Sequence, residues 1–247
     1  MKKFFSKIKE KLKQILFPSD FHCFCCGSEI FNNNKFCLCD KCFNELVFLD
    51  LETTCNKCGT KITGTGNLCE NCSNNLFKSF TLSRSVFEYS GQMINVIHKL
   101  KFDNKQYLAK NLSLLMRNYF DNHPELQDID VIIPIPIHEK RLKMRGYNQS
   151  ELLLESFTDT GKVCLNCVER NVETESQRTK NAKERIENMT NCFSVKNKSI
   201  IKNKKILIVD DVFTTGATCN SLAKTLLKAG AKQVKCLTLA STTKKQD

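Results

Sequence analysis

Four Cys-x-x-Cys pairs crowd the segment between Cys23 and Cys72: Cys23–Cys26, Cys39–Cys42, Cys55–Cys58 and Cys69–Cys72. Two residues between cysteines let one tight turn aim both sulfurs at a single ion, and four thiolates complete a tetrahedral shell. Gly27 and Gly59 follow the first and third pairs, where a glycine tolerates the turn. The spans Cys26–Cys39 and Cys58–Cys69 are similar, so two consecutive four-cysteine zinc ribbons are the simplest pairing. A cross-braced pairing, first with third and second with fourth, also satisfies the spacing. Cys25 and Cys37 are extras that could substitute at the first site, and His22 stands close to it. Apolar residues are thin in this stretch, so bound metal must supply much of its folding free energy. A closed four-sulfur shell offers no open coordination position, which points to a structural ion rather than a catalytic one.

Of the fifteen cysteines, only five lie outside that stretch. A secreted disulfide framework would not leave a long cysteine-poor region attached, so metal binding under reducing conditions fits better. Cys164-x-x-Cys167 has the spacing of a redox pair. Cys164, Cys167 and Cys192 are nonetheless expected to be small apolar or half-exposed side chains. The formal net charge is +12, and eight thiolates around two Zn²⁺ would lower it by only about 4. Such a balance favours an anionic partner without choosing among nucleic acid, an acidic membrane surface and phosphorylated small molecules. There is no apolar run long enough to span a bilayer and no secretory signal, so a cytoplasmic location is expected.

Three regions are expected, at 1–18, 19–75 and 76–247. In the first, Phe4, Phe5, Ile8, Leu12, Ile15 and Leu16 recur at helical spacing among lysines, and Pro18 stops the helix. This basic amphipathic helix either packs on the protein's own domain or rests on a membrane or a partner. In the third, helix-like and strand-like segments alternate. Helices are expected over Gln92–Arg117, with an interruption at Asp103–Asn104, over Tyr147–Phe157 and over Asn220–Lys228. Strands are expected over Val131–Ile137, Lys205–Val209 and Gln233–Ala240. That alternation implies a mostly parallel sheet with ligands at the carboxyl ends of its strands.

The sharpest segment runs from Ile206 to Thr218. An apolar strand delivers Asp210 and Asp211 to its open end, followed by Thr214-Thr215-Gly216-Ala217-Thr218 and a helix. Small hydroxyl residues, successive backbone N–H groups and a helix start together make a phosphate cradle. Carboxylates gain nothing beside a phosphate; they make sense if the same ligand carries a sugar whose hydroxyls donate to them. The G-x-x-x-x-G-K-[ST] loop of nucleoside triphosphatases is absent. Arg141, Lys143 and Arg145 follow the Val131–Ile137 strand, and Arg145 is the best suited to bidentate oxygen binding. Residues 170–188 are polar and poor in apolar anchors, a composition fit for a closing loop or for a plain surface excursion.

This segment resembles the signature of type I phosphoribosyltransferases, and the whole chain resembles the competence protein F family. The four cysteine pairs, Ile133-Pro134-Ile135-Pro136, Arg145-Gly146-Tyr147-Asn148-Gln149 and the Asp210–Thr218 segment stand in that family's order. Arg170, Thr174, Gln177, Arg185, Asn188 and Phe193 match a spaced pattern between them, and Tyr89, Gly91 and Lys99–Phe102 fit its first helix. Asn104 stands where the family commonly has glycine. The resemblance implies an α/β, type I phosphoribosyltransferase-like, mostly parallel sheet with an N-terminal zinc-ribbon module. It implies phosphoribosyl pyrophosphate with Mg²⁺ as ligand. Asp210 and Asp211 would hold the ribose hydroxyls, and Thr214, Thr215, Gly216, Ala217 and Thr218 the 5-phosphate. Pro134, Ile135, Pro136 and Ile137 would receive the pyrophosphate, Arg145 would assist its departure, and Gln177 and Arg185 would belong to the closing loop. It further implies a role in natural competence, handling single-stranded DNA beside a helicase or other uptake proteins at the inner face of the membrane.

Three functions remain: phosphoribosyl transfer to an unidentified acceptor, ligand sensing without turnover, and a DNA- and partner-binding module. No general base is evident, since His22, His98 and His138 have no motif support, and no dense lysine, arginine and aromatic platform for bases is visible.

Overall fold

The computed structural model describes residues 22–30, 37–62, 66–103, 106–172 and 192–243. The expected helix over 1–18 lies outside these residues, as do Gln177 and Arg185.

Runs of β-branched and aliphatic residues set the sheet. Strands β1 (Leu82–Glu88), β2 (Val131–Pro134), β5 (Lys205–Phe213) and β6 (Gln233–Ser241) pair in the order β1-β6-β5-β2. Every pairing is parallel, with Ile133 beside Ile208, Ile208 beside Cys236 and Ser85 beside Thr238. A short antiparallel pair, β3 (Val168–Arg170) and β4 (Phe193–Val195), stands apart. Side chains alternate across a strand, and both faces of this sheet are dry. Ile206 and Ile208 pack with Val131, Ile133, Val234 and Cys236 on one face. Leu207 and Val209 pack with Ile132, Leu237 and Leu239 on the other. Both faces being covered is what an all-parallel sheet requires.

The described residues form nine α-helical segments, α1 (Asp40–Glu45), α2 (Glu70–Ser73), α3 (Gly91–Phe102), α4 (Leu108–Asp121), α5 (Pro124–Gln127), α6 (Glu139–Arg145), α7 (Gln149–Leu152), α8 (Lys198–Ile201) and α9 (Ala217–Lys228). Leu222, Ala223 and Leu226 of α9 cover the first face. Met93, Ile97 and Leu100 of α3, with Leu112 and Met116 of α4, cover the second. The long helix expected over Gln92–Arg117 is therefore two, broken around Asp103. The expected Val131–Ile137 strand pairs only as far as Pro134, because proline has no N–H for a ladder. Helix Tyr147–Phe157 resolves into α7 and a 3₁₀ turn over Glu155–Thr160. Strand β1 and helix α6 were not anticipated.

The cysteine pairs assemble consecutively. The sulfurs of Cys23, Cys26, Cys39 and Cys42 lie within 4.8 Å of one another, and so do those of Cys55, Cys58, Cys69 and Cys72. Each set supplies the four soft donors that a structural zinc ion takes, and the cross-braced pairing is not adopted. Cys25, Cys37 and His22 are in neither set; the Cys25 sulfur sits 3.8 Å from the Gln92 side-chain oxygen instead.

The two metal centres brace opposite faces of one sheet. Phe24, Leu38 and Leu46 of the first ribbon join the α3–α4 side. The four cysteines of the second ribbon, followed by Phe77 and Phe80, join the α9 side. Between them the chain runs along the open edge of β1, with Leu49 N–H donating to Val86 O (3.0 Å), Glu88 N–H to Val47 O (2.8 Å) and Ser83 N–H to Lys57 O (2.7 Å). Those bonds occupy polar groups that an edge strand would otherwise offer to another chain. Gly59, at φ +69°, permits the approach, since a Cβ there would stand 2.8 Å from Ser83 O.

This arrangement predicts about two zinc ions per chain. Stripping them with a strong chelator is expected to accelerate amide hydrogen exchange across Leu82–Glu88. Unchanged protection of β1 in metal-free protein would contradict the bracing role.

Candidate functional site

Strand β5 continues through the acids instead of ending before them, so Asp210 and Asp211 are held by ladder hydrogen bonds and are both buried. Ser150 Oγ donates to Asp210 Oδ1 at 2.8 Å. Lys101, in the last turn of α3, forms an ion pair with Asp211 Oδ2. Burial and the neighbouring Asp211 charge push the Asp210 pKa up to about 7. Burial acts in the same sense on Asp211, but Lys101 outweighs it and holds that carboxyl below the ordinary range. Below about pH 7 the pair therefore carries its negative charge on Asp211 and holds a proton on Asp210. Burial likewise disfavours the Lys101 charge, and Asp211 more than offsets that, leaving the lysine above its ordinary value.

Next along the chain, Thr214 is exposed, Thr215 half-buried, and Gly216 turns the backbone at φ +72° into α9. A Cβ at Gly216 would lie 2.6 Å from Phe213 Cζ and 2.8 Å from Phe77 Cε1. Glycine is thus required there twice, by conformation and by space. Phe77, Phe80 and Phe213 form the floor beneath it, with ring centroids 5.5 to 6.1 Å apart. Phe77 follows the second zinc ribbon directly, so that ribbon underlies the turn. Helix α9 starts at Ala217, three residues before the expected start, which puts Ala217 and Thr218 in its first turn with their N–H groups at the positive end.

Pro134, Ile135, Pro136 and Ile137 leave β2 alongside this point, since Pro134 is in register with Val209. Ile135 N–H donates to Val209 O at 2.9 Å. All described peptide bonds are trans. The acids, the Thr214–Thr218 segment and the Pro134–Ile137 segment thus share the carboxyl edge of two neighbouring strands.

The segment Arg145–Ser150 joins these parts. Gly146, at φ +81°, ends α6. The Tyr147 hydroxyl donates to Leu100 O, the residue before Lys101. The Asn148 amide donates to Ile135 O at 3.0 Å, while its oxygen caps α7 by accepting from Ser150 N–H at 3.1 Å. Ser150 then reaches Asp210. Arg145 donates to the Gln149 side chain and lies over the Phe102 ring at 5.5 Å. Sequence reading singled out Arg145 and missed the roles of Lys101, Tyr147, Asn148 and Ser150. Each is an ordinary polar residue whose partner lies far along the chain, so only the fold reveals it.

Other candidates fall elsewhere. Lys143 pairs with Glu139 at 2.6 Å on the exposed side of α6. His138 caps α6 through Lys140 N–H, His98 packs on Phe102 with centroids 4.8 Å apart, and His22 is exposed. Arg170 lies over Phe193. Cys164 and Cys167, expected to be unremarkable side chains, are joined in a disulfide.

The acid pair sets a pH dependence. Between the ordinary value of 3.8 and about 7, folded Asp210 retains a proton that the unfolded chain has lost. Its contribution to stability therefore falls as pH rises through that window. Asp211 acts oppositely: its stabilisation is present above the ordinary carboxylate value and is lost as pH drops through its depressed folded value. Denaturant unfolding at a series of pH values is expected to show that Asp210→Asn removes the decline between pH 4 and 7. Parallel curves for the two proteins would contradict the assignment.

Residues 12–73 match the double zinc ribbon domain, and residues 164–247 match the phosphoribosyl transferase domain. The chain is 30% identical over 231 residues to Competence protein F of Haemophilus influenzae, covering 90% of this chain and 97% of that one. It is 30% identical over 211 residues to Competence protein ComFC of Streptococcus pneumoniae, covering 85% and 90%. It is 32% identical over 199 residues to DNA utilization protein YhgH of Escherichia coli strain K12, covering 75% and 84%. A double zinc ribbon ahead of a phosphoribosyltransferase-like α/β domain, matched nearly end to end by these relatives, places the chain in the competence protein F family.

Proposed function

We propose that the chain binds phosphoribosyl pyrophosphate with Mg²⁺ at the carboxyl end of β5, transfers its phosphoribosyl group to a nucleophilic acceptor, and acts in DNA uptake during natural competence. The observation that carries the reading is the buried Asp210–Asp211 pair standing directly before a glycine turn that opens α9. Ribose hydroxyls donate to the Asp211 carboxylate and to the Asp210 carboxyl oxygens. The 5-phosphate takes the Thr214 and Thr215 hydroxyls and the first N–H groups of α9, from Gly216 to Thr218. The pyrophosphate lies against Pro134–Ile137, and Arg145 faces the same edge, with its guanidinium within the field of Asp211.

Displacement at the anomeric carbon builds positive charge on the ribose and negative charge on the departing pyrophosphate. Arg145 stabilises the latter, and a buried Asp211 carboxylate lies on the ribose side to favour the former. Asp211 and ligand oxygens would hold Mg²⁺ once the Lys101 ammonium is displaced, and the ion would supply neutralisation of the phosphate charge. Asp210 and Asp211 position the sugar and are not nucleophiles.

A second reading, sensing without turnover, is favoured by the Lys101–Asp211 ion pair. Ribose hydroxyls must compete with Lys101 for that carboxylate, so ligand binding would shift the end of α3. The relatives' names supply the context of competence and DNA utilization, and the net charge of +12 suits a backbone-dominated contact with single-stranded DNA. A helicase or other uptake partner at the inner face of the cytoplasmic membrane fits the same setting. Among the described residues no helix is long and apolar enough to cross a membrane.

Calorimetry is expected to show Mg²⁺-dependent binding of phosphoribosyl pyrophosphate that the double variant Asp210→Asn, Asp211→Asn loses. Equal binding by the folded variant would sink the site assignment. Pyrophosphate release that requires an added acceptor selects the transferase over the sensor.

A further inference from the structure

The disulfide between Cys164 and Cys167 lies outside everything assigned above. The backbone holds the two cysteines at either end of a two-residue turn without help from the sulfur bond. Cys164 N–H donates to Ile132 O at 2.9 Å, and Val163 forms a parallel bridge with Ile132, extending the sheet beyond β2. On the far side, Lys196 N–H donates to Cys167 O at 2.9 Å where β3 begins. The Cα atoms are 5.9 Å apart, inside the range a disulfide accepts. Leu165 and Asn166 are exposed between them, Cys164 is half-buried and Cys167 is buried.

The other cysteines differ in kind. Eight stand in the two metal sets, where coordination would mask the sulfurs. Cys219 and Cys236 are in mutual contact but sealed within the core, and Cys25, Cys37 and Cys192 are buried. A thiol must be reachable to exchange, and its partner must be close enough to resolve the intermediate. Among the described residues, the Cys164–Cys167 turn meets both conditions outside the metal sets.

We propose that Cys164 and Cys167 form a reversible thiol–disulfide exchange site that takes low-molecular-weight disulfides. The Cys164 thiolate attacks one sulfur of the small disulfide RSSR. A mixed Cys164–S–SR bond forms, the RS–SR bond breaks, and the first RS⁻ leaves to take up a proton. The Cys167 thiolate then attacks the Cys164 sulfur and expels the second RS⁻. The two cysteines lose two electrons and two protons, and one RSSR becomes two RSH. An excess of small thiol drives the same steps backwards.

The test uses the full zinc-loaded chain, reduced and then incubated with bis(2-hydroxyethyl) disulfide. Free thiols are alkylated and the peptides are examined by mass spectrometry. The expected result is a 164–167 peptide lighter by two hydrogens and resistant to alkylation, restored by dithiothreitol, with the zinc content unchanged. In Cys167→Ser the reagent is expected to remain attached at Cys164 as a mixed disulfide. Complete alkylation of both cysteines after oxidation, or oxidation that proceeds only with loss of zinc, overturns the proposal. So does a mixed disulfide that forms on Cys167 in Cys164→Ser but not on Cys164 in Cys167→Ser. The readout is independent of phosphoribosyl pyrophosphate binding, so its failure leaves the proposed function standing.

Discussion

Of two adjacent carboxyls inside a protein, neither stays charged unless something positive is brought to it. At the end of β5 that something is Lys101, and much of the C-terminal domain can be understood as the means of delivering it. Helix α3 must end at the right height over the sheet. Its apolar stripe, Met93, Val96, Ile97 and Leu100, seats it on Leu207 and Val209, and the Tyr147 hydroxyl fixes Leu100 O one residue before the lysine. Losing one partner of such a buried pair costs about 3 to 5 kcal/mol, because the other charge is left stranded. That is a large fraction of the roughly 5 to 15 kcal/mol by which a domain is stable. A ligand whose hydroxyls and cation replace Lys101 at Asp211 meets a carboxylate kept ionised for it.

The zinc ribbons solve a different problem of the same sheet. Strand β1 is at the edge, and a parallel sheet needs cover on both faces as well as along that edge. A single connection from Leu46 to Lys57 runs beside β1 and carries one ribbon to each face. The second ribbon then continues through Phe77 into the aromatic floor beneath Gly216. The second metal set is thereby tied through Phe77 to the packing beneath Gly216. A module thin in apolar residues thus supports the glycine turn from beneath.

What the sequence disclosed was local. The cysteine spacing foretold two metal centres, and the consecutive pairing follows because each ribbon is a short loop that closes before the chain passes on. The apolar runs at 205–209 and 233–240 foretold their strands, because such runs bury on both faces in a parallel sheet. Strand β1 escaped because its buried polar residues, Ser83, Arg84 and Ser85, break the apolar pattern. Two of them are met by tertiary partners, Ser85 by Thr238 at 2.7 Å and Arg84 by Asn56 O at 3.1 Å, while the Ser83 hydroxyl is buried without a hydrogen bond among the described residues. The acids and the glycine turn were legible because they are contiguous. Lys101 and Ser150 were not, because their meaning lies 110 and 60 residues away in sequence and almost none away in space.

The Arg145–Ser150 segment shows how such distant groups are kept in step. Four consecutive positions contact α3, the Ile135 carbonyl, the Arg145 side chain and Asp210, in the order Tyr147, Asn148, Gln149, Ser150. Gly146 turns the chain so that these side chains fan outward from one short helix start, and all four residues are buried with their polar atoms paired across the site. A buried hydrogen-bond network is costly when only partly satisfied, so a shift at Ile135 cannot be absorbed at Asn148 without disturbing the cap on α7 that places Ser150. Displacement of the Pro134–Ile137 segment by a bound anion would therefore be felt at Asp210, and displacement of Lys101 would be felt at Tyr147. The sugar end and the leaving-group end of the proposed ligand would be coupled through one six-residue joint.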